Sequence, residues 1–355
     1  PEEKFITEGD LLCQRCFKIK NYGKNSVNNF KSEDYSKEVL NSVKKSDIIL
    51  PIFDIIDFEG SFTEEILDYL RDYRSIVLVN KTDLLPGFVH PTEIADWIKD
   101  RLAEEDIVPE NIAFISAKSK YGINGVIRKI KSIFPDKKVK AVVLGVSNVG
   151  KSSVINLLLG KNKITTSKYS GTTLKSINNK IPDTNITITD TPGLIPKEKR
   201  LSDMISVETG LKLVPAGEIS RKTFKLEEGQ VFMFDAFCRF KVKENKSKND
   251  IAEEKKYKPI FSVYSSKNVK FHLTKEERVE ELLEGDFFEL LKGEEKKKYF
   301  ENEFVTFKTT VKENEDLVIS GLGWINVKRG PLAIELTVPK GVKTVVRPSI
   351  FKGKK

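Results

Sequence analysis

The sequence predicts an α/β protein. Its central domain is a doubly wound, mostly parallel sheet, with an N-terminal arm before it and a mostly β domain after it. Apolar runs typical of buried strands alternate with helical patterns over residues 46–200, which is the order of strand–helix–strand units. After residue 200, segments in which every second residue is apolar predominate, and this pattern indicates half-buried strands. We therefore expect an arm at 1–45, the α/β domain at 46–200 and a β-rich domain at 201–355.

The composition excludes several classes of protein. Hydrophobic residues make up 39% of the 355 residues, which is enough for packed cores and excludes wholesale disorder. The three cysteines cannot form a disulfide framework, and they favour a reducing compartment. No apolar run reaches the roughly 18 residues that a membrane helix needs, and the start shows no leader pattern. We expect a cytoplasmic protein with no membrane partner, and the sequence leaves its oligomeric state open.

The elements of the α/β part follow from the apolar spacing, with short buried runs for strands and one-sided spacing for helices. Thr92 is a possible N-cap of the second helix. The sequence predicts strands at 48–53, 75–80, 111–116 and 141–145, helices at 63–73, 92–102, 125–134 and 151–159, and a hairpin of 174–181 with 184–190.

In the C-terminal part, residues 231–243 alternate strictly, with Phe232, Phe234 and Phe240 on one side. We expect a strand there, and an acidic helix at 273–285 that interrupts the strands. Residues 243–258 are rich in Lys, Glu and Asn and predict a solvated loop or insertion. The stretches FSVYSS, NVKFHLT, FVTFKTTV, DLVISGLGWINV and LAIELTVP are the further strand candidates.

A phosphate-binding loop is predicted at GVSNVGKS, Gly145–Ser152, because a buried strand precedes it and a helix follows it. Glycines let the backbone wrap closely around phosphate oxygens, and the helix N-terminus supplies positive potential. Lys151 should reach the β- and γ-phosphates, and Ser152 should ligate Mg²⁺. The candidate nucleotide-binding residues here are Ser147, Asn148, Val149, Gly150, Lys151, Ser152 and Ser153.

Two further motifs point to a guanine base. NKTD ends a predicted strand, and the carboxylate of Asp83 could accept from guanine N1–H and N2–H₂, a pair of donors that adenine lacks. Lys81 could lie along the base, and Asn80 could tie this loop to the phosphate loop. SAK follows the next strand, and its backbone would contact the guanine carbonyl oxygen. The residues of this second motif are Ser116, Ala117 and Lys118.

Two short motifs would complete the phosphate site. DTPG follows the second hairpin strand, so that Asp190 would reach Mg²⁺ through water and the N–H of Gly193 would meet the γ-phosphate. GTT precedes the hairpin, and a Thr hydroxyl from a mobile loop commonly completes the Mg²⁺ shell. Thr173 is the candidate, with Thr172 as the alternative and a plain Thr-rich linker as the other reading. The predicted catalytic residues are Lys151, Thr173, Asp190 and Gly193, and the predicted Mg²⁺ ligands are Ser152, Thr173 and Asp190.

The N-terminal arm carries CQRC. Cys13 and Cys16 have the spacing of half a zinc site, which needs two further ligands, and the alternative is two unpaired structural thiols. The net charge is +9, and basic residues concentrate at both ends, which suits contact with RNA phosphates. The alternative is that these charges only keep the protein in solution. The candidate RNA-binding residues are Arg15, Lys18, Lys20 and Lys24 at one end and Lys328, Arg329, Lys340, Lys343 and Arg347 at the other.

The order of the motifs is unusual, because NKTD and SAK precede the phosphate loop. This order resembles the circularly permuted P-loop GTPases, and CQRC, IFDIIDFEGSF and the tail with GLGWINV resemble the YqeH family. The resemblance implies a GTPase that assembles the small ribosomal subunit, with GTP or GDP, Mg²⁺ and Zn²⁺ as cofactors and a second CxxC upstream of the one seen here. Leu194 follows DTPG, where many small GTPases have a catalytic Gln. We therefore expect slow intrinsic hydrolysis, with K⁺ beside Asn148 as a possible substitute.

Two functions remain open. The first is a GTPase whose nucleotide state controls binding to ribosomal RNA or the small subunit. The second is an RNA-binding assembly scaffold in which guanine nucleotide is a structural ligand with negligible turnover, and Leu194 favours it mildly. A metabolic kinase is disfavoured because NKTD would then have no purpose. The sequence does not identify the RNA site, the assembly step or an activating partner.

Overall fold

The computed structural model describes the backbone of residues 4–7, 10–13, 32–160, 176–246 and 258–351, and side chains from residue 36 onward. The chain divides into two compact units. The first contains the residues up to Ile55, Ser61–Thr82 and Ala103–Pro196, and the second contains Ile56–Gly60, Asp83–Leu102 and the residues from Lys197 onward. No helix among the described residues is both long and apolar enough to span a bilayer.

The elements up to the end of DTPG agree closely with the predicted strands and helices. The helices Ser32–Lys44 and Phe58–Ser61 and the short strands Lys4–Thr7 and Asp10–Cys13 were not predicted. The first of these helices is the longest such element. It places Val39 and Val43 on one buried face although the segment is polar as a whole. In chain order the elements are β1 (Lys4–Thr7), β2 (Asp10–Cys13), α1 (Ser32–Lys44), β3 (Ile48–Asp54), α2 (Phe58–Ser61), α3 (Glu64–Asp72), β4 (Ile76–Asn80), α4 (Pro91–Ala103), β5 (Asn111–Phe114), α5 (Ile123–Ile133), β6 (Val139–Leu144), α6 (Lys151–Leu158), β7 (Ile177–Lys180) and β8 (Ile186–Asp190).

The sheet of the first unit has the order β5-β4-β3-β6-β8-β7 and is parallel except for β7. Strands β3 and β4 are buried along their whole length, as expected for apolar runs in a sheet covered on both faces. Because the parallel strands share a direction, the loops after β4, β5, β6 and β8 all leave from the same edge. These loops carry NKTD, SAK, the phosphate loop and DTPG, at the edge where open α/β sheets bind ligands.

The second unit is built mainly from two antiparallel sheets, with orders β13-β10-β11-β17-β14 and β18-β15-β16-β12-β9. A core rich in phenylalanine includes Phe232, Phe234, Phe240 and Phe261, and Phe232 contacts the other three rings. The elements are α7 (Val207–Leu213), β9 (Ser220–Lys225), β10 (Val231–Phe234), β11 (Cys238–Asn245), β12 (Ile260–Ser265), β13 (Phe271–Thr274), α8 (Val279–Glu284), α9 (Gly293–Phe300), β14 (Phe304–Val311), β15 (Glu315–Ile319), β16 (Gly323–Arg329), β17 (Leu332–Pro339) and β18 (Thr344–Pro348).

Three local predictions were wrong. Residues 316–327, expected as one strand, form the hairpin of β15 and β16. Residues 231–243 form the hairpin of β10 and β11 rather than one strand. It turns at Asp235, which has a φ of 50° and accepts a hydrogen bond from Ala236 N at 2.9 Å. β10 is buried on both faces, and apolar residues continue through the turn, so the alternation of apolar residues could not reveal it. Thr92 is not the N-cap, because α4 already begins at Pro91, where the missing N–H of proline costs nothing.

The second unit includes two segments that the sequence placed wholly in the α/β domain, residues 56–60 and 83–102. Hydrogen bonds explain this grouping. Asp57 Oδ1 accepts from Gly321 N at 3.0 Å and from Ser320 Oγ at 3.1 Å. The indole N–H of Trp97 donates to the carbonyl of Pro348 at 3.0 Å. The division of the chain is therefore not contiguous in sequence.

Arg347 lies at the centre of these contacts and is 3% exposed. Its Nη1 lies 3.1 Å from Glu59 Oε1, and its Nε lies 3.8 Å from Asp316 Oδ2. The guanidinium carbon is 4.8 Å from the ring centroid of Trp97 and 5.8 Å from that of Trp324. Burial raises the pKa of the Asp316 carboxyl, although Arg347 opposes this shift. The expectation that Arg347 contacts RNA phosphates is therefore corrected, because its guanidinium is buried and paired with Glu59 and Asp316 inside the second unit.

Replacing Arg347 with Met should destabilise the second unit by about 3–5 kcal/mol, because Asp316 would lose its cationic partner and Glu59 would retain only Arg101, 3.3 Å away. The two tryptophans of the chain, Trp97 and Trp324, both lie beside Arg347, so intrinsic fluorescence during urea unfolding reports on this unit. The matched control is Lys340→Met, whose side chain is 63% exposed and whose loss should cost less than about 1 kcal/mol. Equal effects of the two variants would contradict the assignment.

Candidate nucleotide-binding site

The phosphate loop joins β6 to α6 and has the backbone shape that anion binding needs. Gly150 has a φ of 92° and Asn148 a φ of 68°, so the loop curls before the helix begins at Lys151. A Cβ at Gly150 would lie only 2.4 Å from the side-chain nitrogen of Asn80, so this position requires glycine. The N-terminal end of α6, with Ser152 and Ser153 half-buried, closes the loop. The loop can therefore present backbone N–H groups to a phosphate.

Asn80 connects the phosphate loop with the SAK loop. Its Nδ2 donates to the carbonyl of Val149 at 2.8 Å, and its Oδ1 accepts from Ala117 N at 3.1 Å. Asn80 is 1% exposed, so these hydrogen bonds do not compete with water. One amide thus fixes the distance between a loop that would bind phosphate and a loop that would bind the base.

The base-reading residues follow β4 directly. Lys81 has a φ of 67°, in the left-handed region, and its ammonium contacts the carboxylate of Asp54 at the end of β3. Asp83 is half-buried in the 3₁₀ turn Thr82–Leu84. Thr82 Oγ1 donates to the carbonyl of Ile115 at 3.0 Å, which joins this turn to the strand before SAK. Asp83 is thereby held in a short, ordered turn, as a base-reading carboxylate requires.

The SAK loop is shaped by its own hydrogen bonds. Ser116 is fully buried, and its Oγ accepts from Ser119 N at 3.0 Å. Its backbone N donates to the carbonyl of Tyr121 at 3.1 Å. Ser116 therefore supports the loop, as the sequence predicts, while Ala117 is half-buried and Lys118 is exposed.

Lys151 and Asp190 form a buried pair at the phosphate end of the site. Lys151 Nζ lies 3.7 Å from Asp190 Oδ1 and donates to the carbonyl of Thr191. Burial lowers the pKa of Lys151 and raises the pKa of Asp190, and each group partly offsets the shift of the other. A phosphate and a divalent cation would supply the opposite charges that these two buried groups need.

The residues present fit a Mg²⁺ ion. Asp190 is fully buried, and neither carboxylate oxygen has a hydrogen-bond partner among the described residues. Such oxygens suit the water shell of a hard cation. Asp190 and Ser152 would hold the ion from the ends of β8 and α6. Thr173, the third predicted ligand, and Thr172 lie outside the described residues.

Gly193 and Leu194 bring DTPG against the phosphate loop. A Cβ at Gly193 would lie 3.4 Å from Ser147 Oγ. The N–H of Leu194 donates to the carbonyl of Gly145 at 3.1 Å, and the Leu194 side chain is 1% exposed. Leu194 is thus a packing residue beneath the loop, and its side chain has no group that could orient water.

Several predicted residues are not described by the structure, namely the side chain of Cys13 and the residues Cys16, Arg15, Lys18, Lys20 and Lys24. The zinc site stays a prediction. Where side chains are described, no group of three His, Cys, Asp or Glu could hold a metal ion. Cys238 is a buried free thiol of the second unit.

The C-terminal basic residues differ in their surroundings. Lys340 is exposed and lies 2.7 Å from Glu303, and Lys343 lies 3.8 Å from Glu198. Lys328 and Arg329 are half-buried at the end of β16. The pKa of Lys328 is lowered by burial and by the nearby charge of Arg221.

Sequence reasoning missed one functional candidate, Asp54. Asp54 ends β3 and is opposite Asn80 in the parallel pairing with β4. A polar residue at the end of a strand adjacent to NKTD was a usable signal, because such ends lie at the ligand edge.

Comparisons with known proteins support a GTPase. A family profile described as "50S ribosome-binding GTPase" matches residues 140–266, and one described as "YqeH-like, C-terminal" matches residues 258–350. The uncharacterized protein YqeH of Bacillus subtilis is 29% identical over 98% of this chain and 92% of its own length. A putative nitric oxide synthase of Oryza sativa is 25% identical over 86% of this chain and 62% of its own length. A probable ribosome biogenesis GTPase A of Mycoplasma genitalium is 28% identical over 54% of this chain and 68% of its own length.

Replacing Asp83 with Asn should weaken GTP binding at least about tenfold, because an amide donor would face the N–H donors of guanine and leave them unpaired. Xanthosine triphosphate, which offers an acceptor there, should gain relative affinity. A competition assay against a fluorescent guanine nucleotide measures both changes. Asp96→Asn, an exposed residue of α4, is the control, and an unchanged base preference in the Asp83 variant would reject the assignment.

Proposed function

Because this chain belongs to the YqeH family of circularly permuted GTPases, we propose that its nucleotide state controls binding to the RNA of the small ribosomal subunit during assembly. Hydrolysis of GTP is the activity of the family. The RNA partner, the subunit and the control by nucleotide are the proposal. A cytoplasmic location would follow from this role.

The observation that carries the proposal is the path of the chain after DTPG. The residues that follow Pro196 belong to the second unit. There Lys199 N donates to the carbonyl of Gly341 at 2.9 Å, and Leu201 N donates to that of Ser320 at 2.7 Å. Leu201 is fully buried in the core of this unit. A movement of DTPG on loss of the γ-phosphate would therefore pull on a segment that is built into the β-rich unit.

In the hydrolysis step, Lys151 would neutralise the β- and γ-phosphates, and the N–H of Gly193 would meet the γ-phosphate. Asp190, Ser152 and Thr173 would hold Mg²⁺, which when bound stabilises the negative charge that develops on the phosphates. Leu194 is packed beneath the loop, so no side chain at this position orients the attacking water. Intrinsic hydrolysis should be slow for this reason.

Asn148 is the residue through which a monovalent cation could offset the missing Gln. It is exposed at the tip of the phosphate loop with a φ of 68°, so its amide oxygen could face a cation beside the phosphates. The additional positive charge would stabilise the transition state.

Hydrolysis should be about tenfold faster in KCl than in NaCl at equal ionic strength. Single-turnover measurements of phosphate release give the rate without the influence of product dissociation. Asn148→Ala should bind GTP with similar affinity and lose the difference between the two salts. Equal rates in K⁺ and Na⁺ for the unmodified protein would reject the cation and leave the GTPase assignment intact.

The RNA-contacting face is proposed at the end of β16 and at the loop after β17. Lys328, Arg329 and Lys340 are the remaining candidates with exposed or half-exposed side chains. Lys343 is mostly covered, with a side chain 17% exposed. The basic residues of the N-terminal arm, where a zinc site is predicted, are proposed to add a second contact.

A larger fraction of the protein should co-sediment with small subunits when a non-hydrolysable GTP analogue is present than when GDP is present. The affinity should also fall with salt, since each neutralised phosphate releases counterions. The triple replacement of Lys328, Arg329 and Lys340 by Gln should shallow the slope of log K against log salt by about 0.7–0.9 per lost contact. The control replaces Lys292, Lys297 and Lys298, which are exposed at and near α9.

The same assay separates the alternatives. Binding to large subunits alone would contradict the small-subunit proposal, and one matching profile is described by binding to the 50S subunit. Equal binding in both nucleotides with negligible turnover would favour the scaffold, for which guanine nucleotide is only structural. An unchanged salt slope in the triple variant would mean that these charges serve solubility alone.

A further inference from the structure

Asp54 lies outside every nucleotide-binding motif, yet its carboxylate contacts the ammonium of Lys81. It is the last residue of β3, and its partner in the parallel register with β4 is Asn80. Lys81 is the next residue along the chain, and it is the lysine of NKTD. The two strand ends thus bring an acidic side chain directly to the base-reading loop.

The backbone around this pair is firmly held. Asp54 N donates to Ser61 Oγ at 3.0 Å, and Ile55 N donates to the carbonyl of Asn80 at 3.1 Å. The side chains of Asp54 and Lys81 are 10% and 21% exposed, so water screens their attraction only partly. The left-handed backbone of Lys81, with a φ of 67°, is unusual for a long side chain and persists only where the surroundings fix it.

We propose that Asp54 is a positioning residue for base binding. By holding the ammonium of Lys81, it keeps the aliphatic stem of this lysine extended as a wall against one face of the purine. A lysine side chain loses rotational entropy when it is ordered. Because Asp54 orders Lys81 before the nucleotide arrives, binding does not incur that cost again.

This role differs from that of Asp83 in a measurable way. Asp83 would recognise the edge of the base and distinguish guanine from xanthine, whereas Lys81 would contact the face, which the two bases share. Loss of the anchor should therefore weaken guanine and xanthine nucleotides by the same factor. The phosphates bind through other residues, so the hydrolysis rate at saturating GTP should not change. The inference rests on the nucleotide site described above and not on the identity of the ribosomal partner.

The test compares Asp54→Asn with the unmodified protein in titrations of fluorescent GDP and in competition with xanthosine diphosphate. We expect the Kd of both nucleotides to rise about fivefold, with kcat unchanged. Asp54→Glu, which retains the charge, should recover most of the affinity. Asp68→Asn is the matched control, because Asp68 is 66% exposed and pairs with Arg71 on α3, and it should bind nucleotide normally.

A double-mutant cycle tests whether Asp54 acts through Lys81. Lys81→Met keeps most of the stem and removes the ammonium, so Asp54→Asn should have no further effect in that background. If Asp54→Asn weakens nucleotide affinity as much in the Lys81→Met background as in the unmodified protein, the inference is overturned. It is also overturned if the Asp54→Asn protein folds, binds nucleotide normally and only melts at a lower temperature, because the ion pair would then be purely structural. If Asp54→Asn does not fold, the test uses Asp54→Glu and Lys81→Met instead. The inference is then rejected if Lys81→Met binds nucleotide as tightly as the unmodified protein does. Subunit binding by the unmodified protein is scored separately, so this inference and the ribosomal role can fail independently.

Discussion

The nucleotide site depends on the side chain of Asn80. Its amide donates to the phosphate loop through Val149 and accepts from the SAK loop through Ala117, and it leaves room only for glycine at position 150. The motifs that read the base and those that bind phosphate can therefore occur in either order along the chain, because hydrogen bonds across the sheet edge set their distance. The parallel register of β3, β4 and β6 brings these loops to one edge irrespective of chain order.

Much of this architecture could be predicted from the sequence. The strands of the first unit were identified because their apolar runs are short, continuous and bounded by turns, and the site residues were identified because each motif follows a strand. The hairpin of β10 and β11 was missed because β10 is buried on both faces and apolar residues continue through its turn, so the pattern carries no sign of a reversal. Arg347 was misassigned because a sequence shows a charge and not the distant Glu59 that neutralises it.

The chain passes from the first unit into the second after Ile55, Thr82 and Pro196. Two of these positions lie beside nucleotide-binding loops, since Thr82 is inside NKTD and Pro196 follows DTPG closely. The crossing after Pro196 is possible because the motif order is permuted, so the segment after DTPG does not have to continue to the base-reading strands. Both the base end and the phosphate end of the site are thus covalently continuous with the β-rich unit.

The ion pair between Glu59 and Arg347 joins residues 288 positions apart, and this separation affects how the protein is synthesised. On the ribosome, Glu59 and Trp97 emerge long before β18 has been translated, so the second unit cannot complete its core as its early segments appear. High contact order of this kind slows folding, and the nascent α4 would meanwhile expose Trp97 to chaperones. A fragment that begins at residue 201, the domain boundary that the sequence suggests, would lack Glu59, Arg101 and Trp97. In such a fragment Arg347 would be buried without its counter-ion from the N-terminal half.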